Sequence, residues 1–239
     1  MREWNDLPVV GKLLRGFRTR RMRVFARAFE ITGQTRVLDV GGTHSLWELL
    51  PIQPRVTILN LPRAAPGHST CDLVFASGCA LPFADRSFDI VFSNSVIEHV
   101  GDSAGQQRFA DEIRRVARGY FVQTPNRWFP VEPHLLTPLI HFLPRSWQGM
   151  IVRRFTVWQW MERPTEDRRT FYIEHYLQDI RLLSHGDMSR LFPDATVIRE
   201  RWCGWTKSLI AVRDGQRIAN RGRSDGHSSK TTRSMLSRL

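Results

Sequence analysis

Five apolar segments separated by turns and helix-like stretches set the strongest limit on how this chain folds. The segment FDIVFSNS at residues 88–95 carries apolar residues on both faces, as a strand inside a parallel sheet requires. Strands that alternate with helices predict an α/β fold, a doubly wound sheet with helices on both faces. The predicted strands are RVLDV (36–40), RVTILNL (55–61), DLVFAS (72–77), FDIVFSNS (88–95) and GYFVQTP (119–125).

Polar residues and glycines stand at the ends of these strands. Ligands of doubly wound sheets bind outside the carboxyl ends of the strands, so these residues are the candidates for a binding site. Asp39, Gly41 and Gly42 stand at the end of the first predicted strand. The second strand has Asn60 at its end, the third has Ser77 and the fourth has Asn94.

The formal net charge of +12 is concentrated at the two ends of the chain. Residues 1–30 hold eight Lys and Arg against three acids, and residues 214–239 hold six against two. Enzymes that act on nucleic acid more often carry their basic residues around a groove of the folded body, so this pattern argues against a nucleic-acid partner.

The three cysteines, Cys71, Cys79 and Cys203, are odd in number and show no paired spacing. They argue against a disulfide framework and against a zinc site, and they favour a reducing compartment. No apolar run approaches the roughly 18 residues that span a bilayer, and the first residues show no secretory cleavage pattern. We expect a cytoplasmic protein.

The two basic ends are predicted to differ in structure. Residues 1–30 form a basic amphipathic helix region, because apolar residues recur at helical spacing between residues 9 and 29, with Arg21 among the basic residues between them. Such a helix either packs on the domain with a solvated basic face or also touches the inner surface of an anionic membrane. Residues 214–239 are rich in Ser, Arg and Gly and are predicted to be a disordered basic tail.

Three blocks of the sequence resemble the class I S-adenosylmethionine-dependent methyltransferases, in particular the type-11 methyltransferase domain group. The blocks are VLDVGG, LPFADRSFDIVFSNSVIEHV and FADEIRRVARGYFVQTPN, in the order and spacing of that family. The resemblance implies a Rossmann-like, seven-stranded sheet whose last strand is antiparallel, closed by the hairpin ATVIRERW–TKSLIAVR. It also implies a methyltransferase domain over residues 31–213 with a lid insertion at about 126–185, which is helical and rich in aromatic residues.

The resemblance further implies S-adenosyl-L-methionine as the cofactor and gives the strand ends their roles. Asp39, Gly41 and Gly42 would surround the methionine part, and Asn94 closes the fourth strand beside them. Asn60 stands where the family has an acid for the ribose hydroxyls, and Ser77 where it has an acid near the adenine. Each replacement keeps a hydrogen-bonding group but loses about 1–2 kcal/mol of binding free energy, so the cofactor site is expected to be modified and weaker.

His99 and His134 are the candidate catalytic residues. His99 follows the fourth strand, where the family's methyl-transfer pocket lies, and an imidazole there can remove a proton from a substrate hydroxyl. The alternative for His99 is a structural histidine that orders the loop. Related quinone and small-RNA methyltransferases place a metal on a Glu-x-x-Glu-His pattern at this point, but Ser95 replaces the first glutamate here, and no metal site is expected.

Two functions stay open at this level. One is a methyltransferase that acts on a small-molecule, lipid or lipid-linked glycan acceptor, by O-methylation, under an aromatic lid. The other is a protein of the same fold with weakened or lost cofactor binding, which serves as an interaction partner; Asn60 and Ser77 are the reason to consider it. A dehydrogenase is disfavoured because no G-x-G-x-x-G follows the first strand.

Overall fold

The computed structural model describes residues 8–62, 71–132, 134, 137–154, 156, 159–160 and 164–214. The predicted tail beyond Asp214 and the side chains of residues 8–14 lie outside this description. The strands are β1 (Arg36–Val40), β2 (Arg55–Asn60), β3 (Asp72–Phe75), β4 (Phe88–Asn94), β5 (Ala117–Pro125), β6 (Val131–Glu132), β7 (Thr137–Pro138), β8 (Thr196–Trp202) and β9 (Trp205–Arg213). The helices are α1 (Pro8–Ala28), α2 (His44–Trp47), α3 (Ser103–Val116), α4 (Arg145–Arg154), α5 (Glu166–Asp179) and α6 (His185–Leu191), with 3-10 turns at Ile97–His99 and Ile140–Phe142.

Seven strands form one sheet in the order β3-β2-β1-β4-β5-β9-β8. The strands β1 to β5 are parallel to one another, whereas β9 is antiparallel to both β5 and β8. The predicted fold is therefore confirmed, including the antiparallel last strand and the closing hairpin. The order reverses between β1 and β4, which places the predicted ligand site at the carboxyl ends of these strands.

Each face of the sheet carries its own apolar core. On one face, α1 and α2 pack Phe25 and Trp47 against Phe92 and Phe121. On the other, the apolar stripe of α3 packs with Met188 of α6 under the sheet. Asp102 caps α3 by accepting a hydrogen bond from the backbone N–H of Gly105 at 2.8 Å.

The second half of α1 belongs to the core. Met22 and Phe25 are fully buried, and Phe29 is nearly so. These residues are therefore unavailable to a membrane, and packing on the domain is the alternative that the structure favours for them. Arg21, expected on the solvated basic face, is instead 5% exposed.

The segment between β5 and α6 has a small core of its own. Ile140, Val152, Ile173 and Ile180 pack together away from the sheet. Trp128, Trp147 and Trp160, by contrast, are more than half exposed. The lid therefore presents tryptophans to its surroundings instead of burying them, at least among its described residues.

Candidate active site at the carboxyl edge of the sheet

Asp39 is the first of the predicted residues at this edge, and it is completely buried. The indole N–H of Trp47 donates to its Oδ2 at 2.7 Å, while Oδ1 has no hydrogen-bond partner. Burial raises the pKa of Asp39 to about 7, although the hydrogen bond from Trp47 acts in the opposite direction. At neutral pH the carboxyl group is therefore poised between its two forms.

Gly41 and Gly42 turn the chain directly above this carboxyl group. Gly41 has a φ of +76°, and a Cβ there would come within 2.4 Å of Val96 Cγ2. A Cβ on Gly42 would lie 1.7 Å from Oδ2 of Asp39. The family resemblance placed both glycines around the methionine part of the cofactor. The positive φ of Gly41 and the neighbouring side chains supply a further reason for glycine at these positions.

Asn60 and Ser77, at the next two strand ends, make short local contacts. The Asn60 Nδ2 donates to the carbonyl oxygen of Gly42 at 3.1 Å, which ties the end of β2 to the glycine turn. Ser77 is exposed, and its Oγ accepts a hydrogen bond from the backbone N–H of Cys79 at 3.2 Å. Both side chains stand at the edge where the cofactor prediction placed them.

Asn94 is bound to a residue that the sequence reasoning did not assign to the site. Its Oδ1 accepts a hydrogen bond from the guanidinium of Arg21. The same guanidinium donates to Gln123 Oε1 at 3.1 Å and forms a buried ion pair with Glu200 at 2.6 Å. Arg21 of α1 thus connects the ends of β4 and β5 with β8.

Lys207 lies beside this network. Its Nζ is 3.9 Å from Glu200 and 4.1 Å from the centre of the Phe17 ring. Burial lowers the pKa of Lys207 to about 8, against the attraction of Glu200. Burial alone would raise the pKa of Glu200, but Arg21 and Lys207 outweigh it and lower that pKa.

Glu98, His99 and His134 meet on the other side of β4 and β5. The two histidine Nε2 atoms are 3.2 Å apart, although 35 residues separate them in the sequence. Glu132 is fully buried, and its Oε1 is 2.6 Å from Nδ1 of His134. The two predicted catalytic histidines are thus brought together, and the chain adds two buried carboxyl groups to them.

The buried carboxyl groups change the charge state of this cluster. Burial raises the pKa of Glu98 to about 7, opposed by the charges of His134 and Arg21 and by a hydrogen bond from Thr124. Burial would lower the pKa of His134, but the hydrogen bond and charge of Glu132, together with Glu98, raise it overall. Donor atoms of Glu98, His99 and His134 all lie within 4.8 Å of one another, a spacing that suits a single metal ion.

Aromatic side chains line the rim next to this cluster. Trp128 stacks on Phe142 with ring centres 6.0 Å apart, and the Arg127 guanidinium lies 5.5 Å from the Trp128 ring. Phe129 packs against Trp202 at the tip of the β8–β9 hairpin, and Trp205 of the same tip is 58% exposed. An acceptor entering here would meet apolar surfaces before it reached the polar cluster.

Residues 52–122 match a family model described as a methyltransferase domain. The matched part runs from just before β2 to within β5 and contains Asn60, Ser77, Asn94 and His99. Over these residues the chain is similar to a methyltransferase domain. The match begins after Gly42, so the modified turn after β1 lies outside it.

Two relatives are similar to this chain over a part of its length. An uncharacterized methyltransferase of Mycolicibacterium vanbaalenii is 35% identical over 91 residues, which cover 34% of this chain and 34% of that protein. A protein of Encephalitozoon cuniculi named as a methyltransferase is 35% identical over 91 residues, which cover 36% of this chain and 42% of the relative. The chain therefore matches about a third of the length of the first relative.

A solved structure of a SAM-dependent methyltransferase from Aquifex aeolicus is 12% identical to this chain. The comparison covers 80% of this chain and 87% of that one, with a TM-score of 0.46. Within the residues that the structure describes, no helix is both long and apolar enough to cross a membrane.

Proposed function

We propose that this chain is an S-adenosylmethionine-dependent methyltransferase that methylates an oxygen atom of a partly apolar acceptor. The similarity to the family model supports the reaction class, and the order of the strands supports the position of the site. When bound, S-adenosyl-L-methionine supplies the methyl group. The residues described above divide the carboxyl edge into a cofactor half, at β1 and β2, and an acceptor half, at β4, β5 and the lid.

The cofactor half fits the methionine part of the cofactor. Asp39 Oδ1 is buried and lacks a partner, and a positively charged amino group placed beside it would compensate that carboxylate. The Gly41–Gly42 turn places backbone without side chains next to the Asp39 carboxylate. Asn60 would take the ribose hydroxyls through its Oδ1, since its Nδ2 is occupied by Gly42, and Ser77 would lie near the adenine.

The acceptor half fits a hydroxyl group. In O-methylation the hydroxyl proton must leave as the oxygen takes the methyl group. We assign the activation of this hydroxyl to the His99–His134 pair, which Glu132 and Glu98 surround. The exposed aromatic rim supports a bulky, partly apolar acceptor such as a phenol, a quinol or a lipid-linked glycan.

Calorimetric titration with S-adenosylhomocysteine tests the cofactor half. Binding should strengthen as the pH rises through about 7, because ionised Asp39 attracts the amino group of the ligand. Asp39→Asn should remove this pH dependence, whereas Asp111→Asn, an exposed carboxylate on α3, should leave it intact. Absence of heat and of any melting shift with millimolar ligand would refute the enzyme and leave the interaction-partner alternative.

Transfer of a labelled methyl group to a panel of phenols, quinols and glycolipids tests the acceptor half. His99→Gln should lower turnover while leaving the affinity for S-adenosylhomocysteine unchanged, because His99 lies on the acceptor side of the edge. Equal losses of binding and turnover would show that His99 orders the loop instead.

A cytoplasmic location and a peripheral contact with anionic membrane remain predictions from the sequence. Among the apolar residues of α1, those from Met22 onward pack in the core, and Phe17 lies against Lys207. Any membrane contact of α1 would therefore rest on its earlier residues, whereas the lid offers its exposed tryptophans as a second apolar surface. Co-sedimentation with anionic vesicles, compared between the intact chain and a Leu13→Ser, Leu14→Ser variant, tests it.

A further inference from the structure

Three donor side chains from two distant segments converge at the acceptor half. Glu98 and His99 come from the 3-10 turn after β4, and His134 comes from the connection between β6 and β7. Nε2 of His99 and Nε2 of His134 are 3.2 Å apart. Two ligands that each lie about 2.1 Å from one metal ion are separated by about 3.0–3.4 Å at octahedral or tetrahedral angles.

One oxygen of Glu98 has no hydrogen-bond partner among the described residues. The side chain is completely buried, and its Oε2 accepts a hydrogen bond from Thr124 at 3.0 Å, but Oε1 has no hydrogen-bond partner. An unsatisfied buried oxygen of this kind carries a desolvation penalty, which is larger when the group is charged. A cation next to Oε1 would remove that penalty and would offset the buried charge of Glu132 as well.

Glu132 orients His134 as a metal ligand. Because a carboxylate oxygen can only accept, the 2.6 Å contact assigns the proton to Nδ1 of His134. The lone pair of His134 then lies on Nε2, which points toward His99. Metal-bound histidines almost always donate their other ring N–H to a carboxylate or carbonyl group in this way.

We propose that Glu98, His99 and His134 bind one divalent transition-metal ion, with Glu132 as the positioning residue of His134. Two imidazoles and one carboxylate suit Zn²⁺, Mn²⁺, Fe²⁺ or Co²⁺, whereas Mg²⁺ and Ca²⁺ prefer oxygen ligands alone. The remaining coordination positions are available to the acceptor hydroxyl, whose pKa a bound ion lowers. This last role rests on the proposed function, but the binding of the ion does not.

The proposal reverses the expectation from the sequence. That expectation counted ligands only along the segment from Ser95 to His99, where one glutamate is replaced. The third ligand lies 35 residues downstream, at His134.

Titration of the full-length, EDTA-stripped protein with Co²⁺ alone tests the site, followed by calorimetry and by the visible absorption of bound Co²⁺. One ion per chain is expected. Glu98→Gln and His134→Gln should weaken binding by at least about tenfold, and Glu132→Gln by about tenfold. His185→Gln at the start of α6 is the matched control, because it changes a histidine outside the cluster and should bind Co²⁺ as the unchanged protein does.

Equal affinity in the unchanged protein, Glu98→Gln and His134→Gln would overturn the proposal, as would the absence of a Co²⁺ absorption band. Melting curves identify any variant that fails to fold, and the remaining variants then carry the test. S-adenosylhomocysteine is titrated into the same stripped samples. Co²⁺ binding without S-adenosylhomocysteine binding would support the metal site and refute the proposed function. S-adenosylhomocysteine binding without Co²⁺ binding would refute the metal site and leave the proposed function intact.

Discussion

The two halves of the carboxyl edge differ in how far apart their interacting residues lie in the sequence. In the cofactor half, Trp47 donates to Asp39 across eight residues, and Asn60 reaches Gly42 across eighteen. In the acceptor half, His99 meets His134 across 35 residues, and in the neighbouring network at the ends of β4 and β5 Arg21 meets Glu200 across 179. The cofactor half is thus a local structure, whereas the acceptor half is assembled from segments that only the complete fold brings together.

The largest effect should come from the remote contacts. Arg21→Met leaves Glu200 buried without its guanidinium partner, and breaking a buried ion pair from one side costs about 3–5 kcal/mol. We expect the midpoint of urea unfolding to fall accordingly. Arg21→Met combined with Glu200→Met should recover most of the loss, because no uncompensated charge then remains near that pair.

The control for this variant is Arg23→Met on the same helix, which is exposed and should change stability little. If Arg21→Met and Arg23→Met unfold at the same urea concentration, the remote network contributes nothing. The difference between the two halves would then be one of sequence distance only.

The local half should respond to pH. The pKa of Asp39 is raised from its ordinary 3.8 to about 7, so folding favours the protonated form. Its stabilising contribution is complete below about pH 4 and is lost as the pH rises to about 7, by about 4 kcal/mol at most. Melting temperatures of the unchanged protein should therefore fall across this range relative to Asp39→Asn, which lacks the titration. Parallel curves for the two proteins would contradict the buried, unpaired carboxyl group.

Gly42→Ala should have a smaller but still clear effect. Its Cβ would collide with Asp39 Oδ2, and overpacking of this kind costs about 1–3 kcal/mol. We expect a fall of several degrees in the melting temperature, at about 2–4 °C per kcal/mol for a chain of this size, and weaker binding of S-adenosylhomocysteine. Gly33→Ala is the control, because the nearest atom to its Cβ would be 3.8 Å away. A melting temperature equal to that of Gly33→Ala would show that the turn can shift.

The smallest effects should come from restoring the acids at the two modified strand ends. Ser77→Asp should strengthen binding of S-adenosylhomocysteine several-fold, since about 1 kcal/mol is typical of one added hydrogen bond. Asn60→Asp should gain less, because it gives up the hydrogen bond from Nδ2 to Gly42. Calorimetry on both variants compares them directly, and a larger gain for Asn60→Asp would mean that the contact with Gly42 is dispensable.

The sequence predicted the fold well because strands and helices depend on local patterns. The strand ends at Asp39, Asn60 and Asn94 follow from those patterns, and so does the hairpin of β8 and β9. The partners of these residues do not. Nothing next to Asn94 in the sequence indicates Arg21 as its partner. Two weak signals of a buried ion pair are present: Arg21 directly precedes the buried Met22, and Glu200 is a lone acid in a closing strand.

The cluster at His99 likewise could be predicted from the sequence only in part. Both histidines were candidates from the sequence, but their contact with each other was not. Glu132 stands two residues before His134, which places a carboxylate within reach of the ring but does not specify which ring nitrogen it meets. The structure shows that this nitrogen is Nδ1, at 2.6 Å from Oε1 of Glu132.

The ion pair between Arg21 and Glu200 also bears on how the chain reaches its native state. Helix α1 is synthesised before the sheet, yet its buried guanidinium can meet its carboxylate only once the β8–β9 hairpin exists, 179 residues later. Contacts this distant in sequence form late and slow the folding of a chain. A fragment that begins at residue 31 would lose Arg21, Met22 and Phe25 together. We therefore expect α1, which the sequence alone separates from the domain, to be needed for the domain to fold.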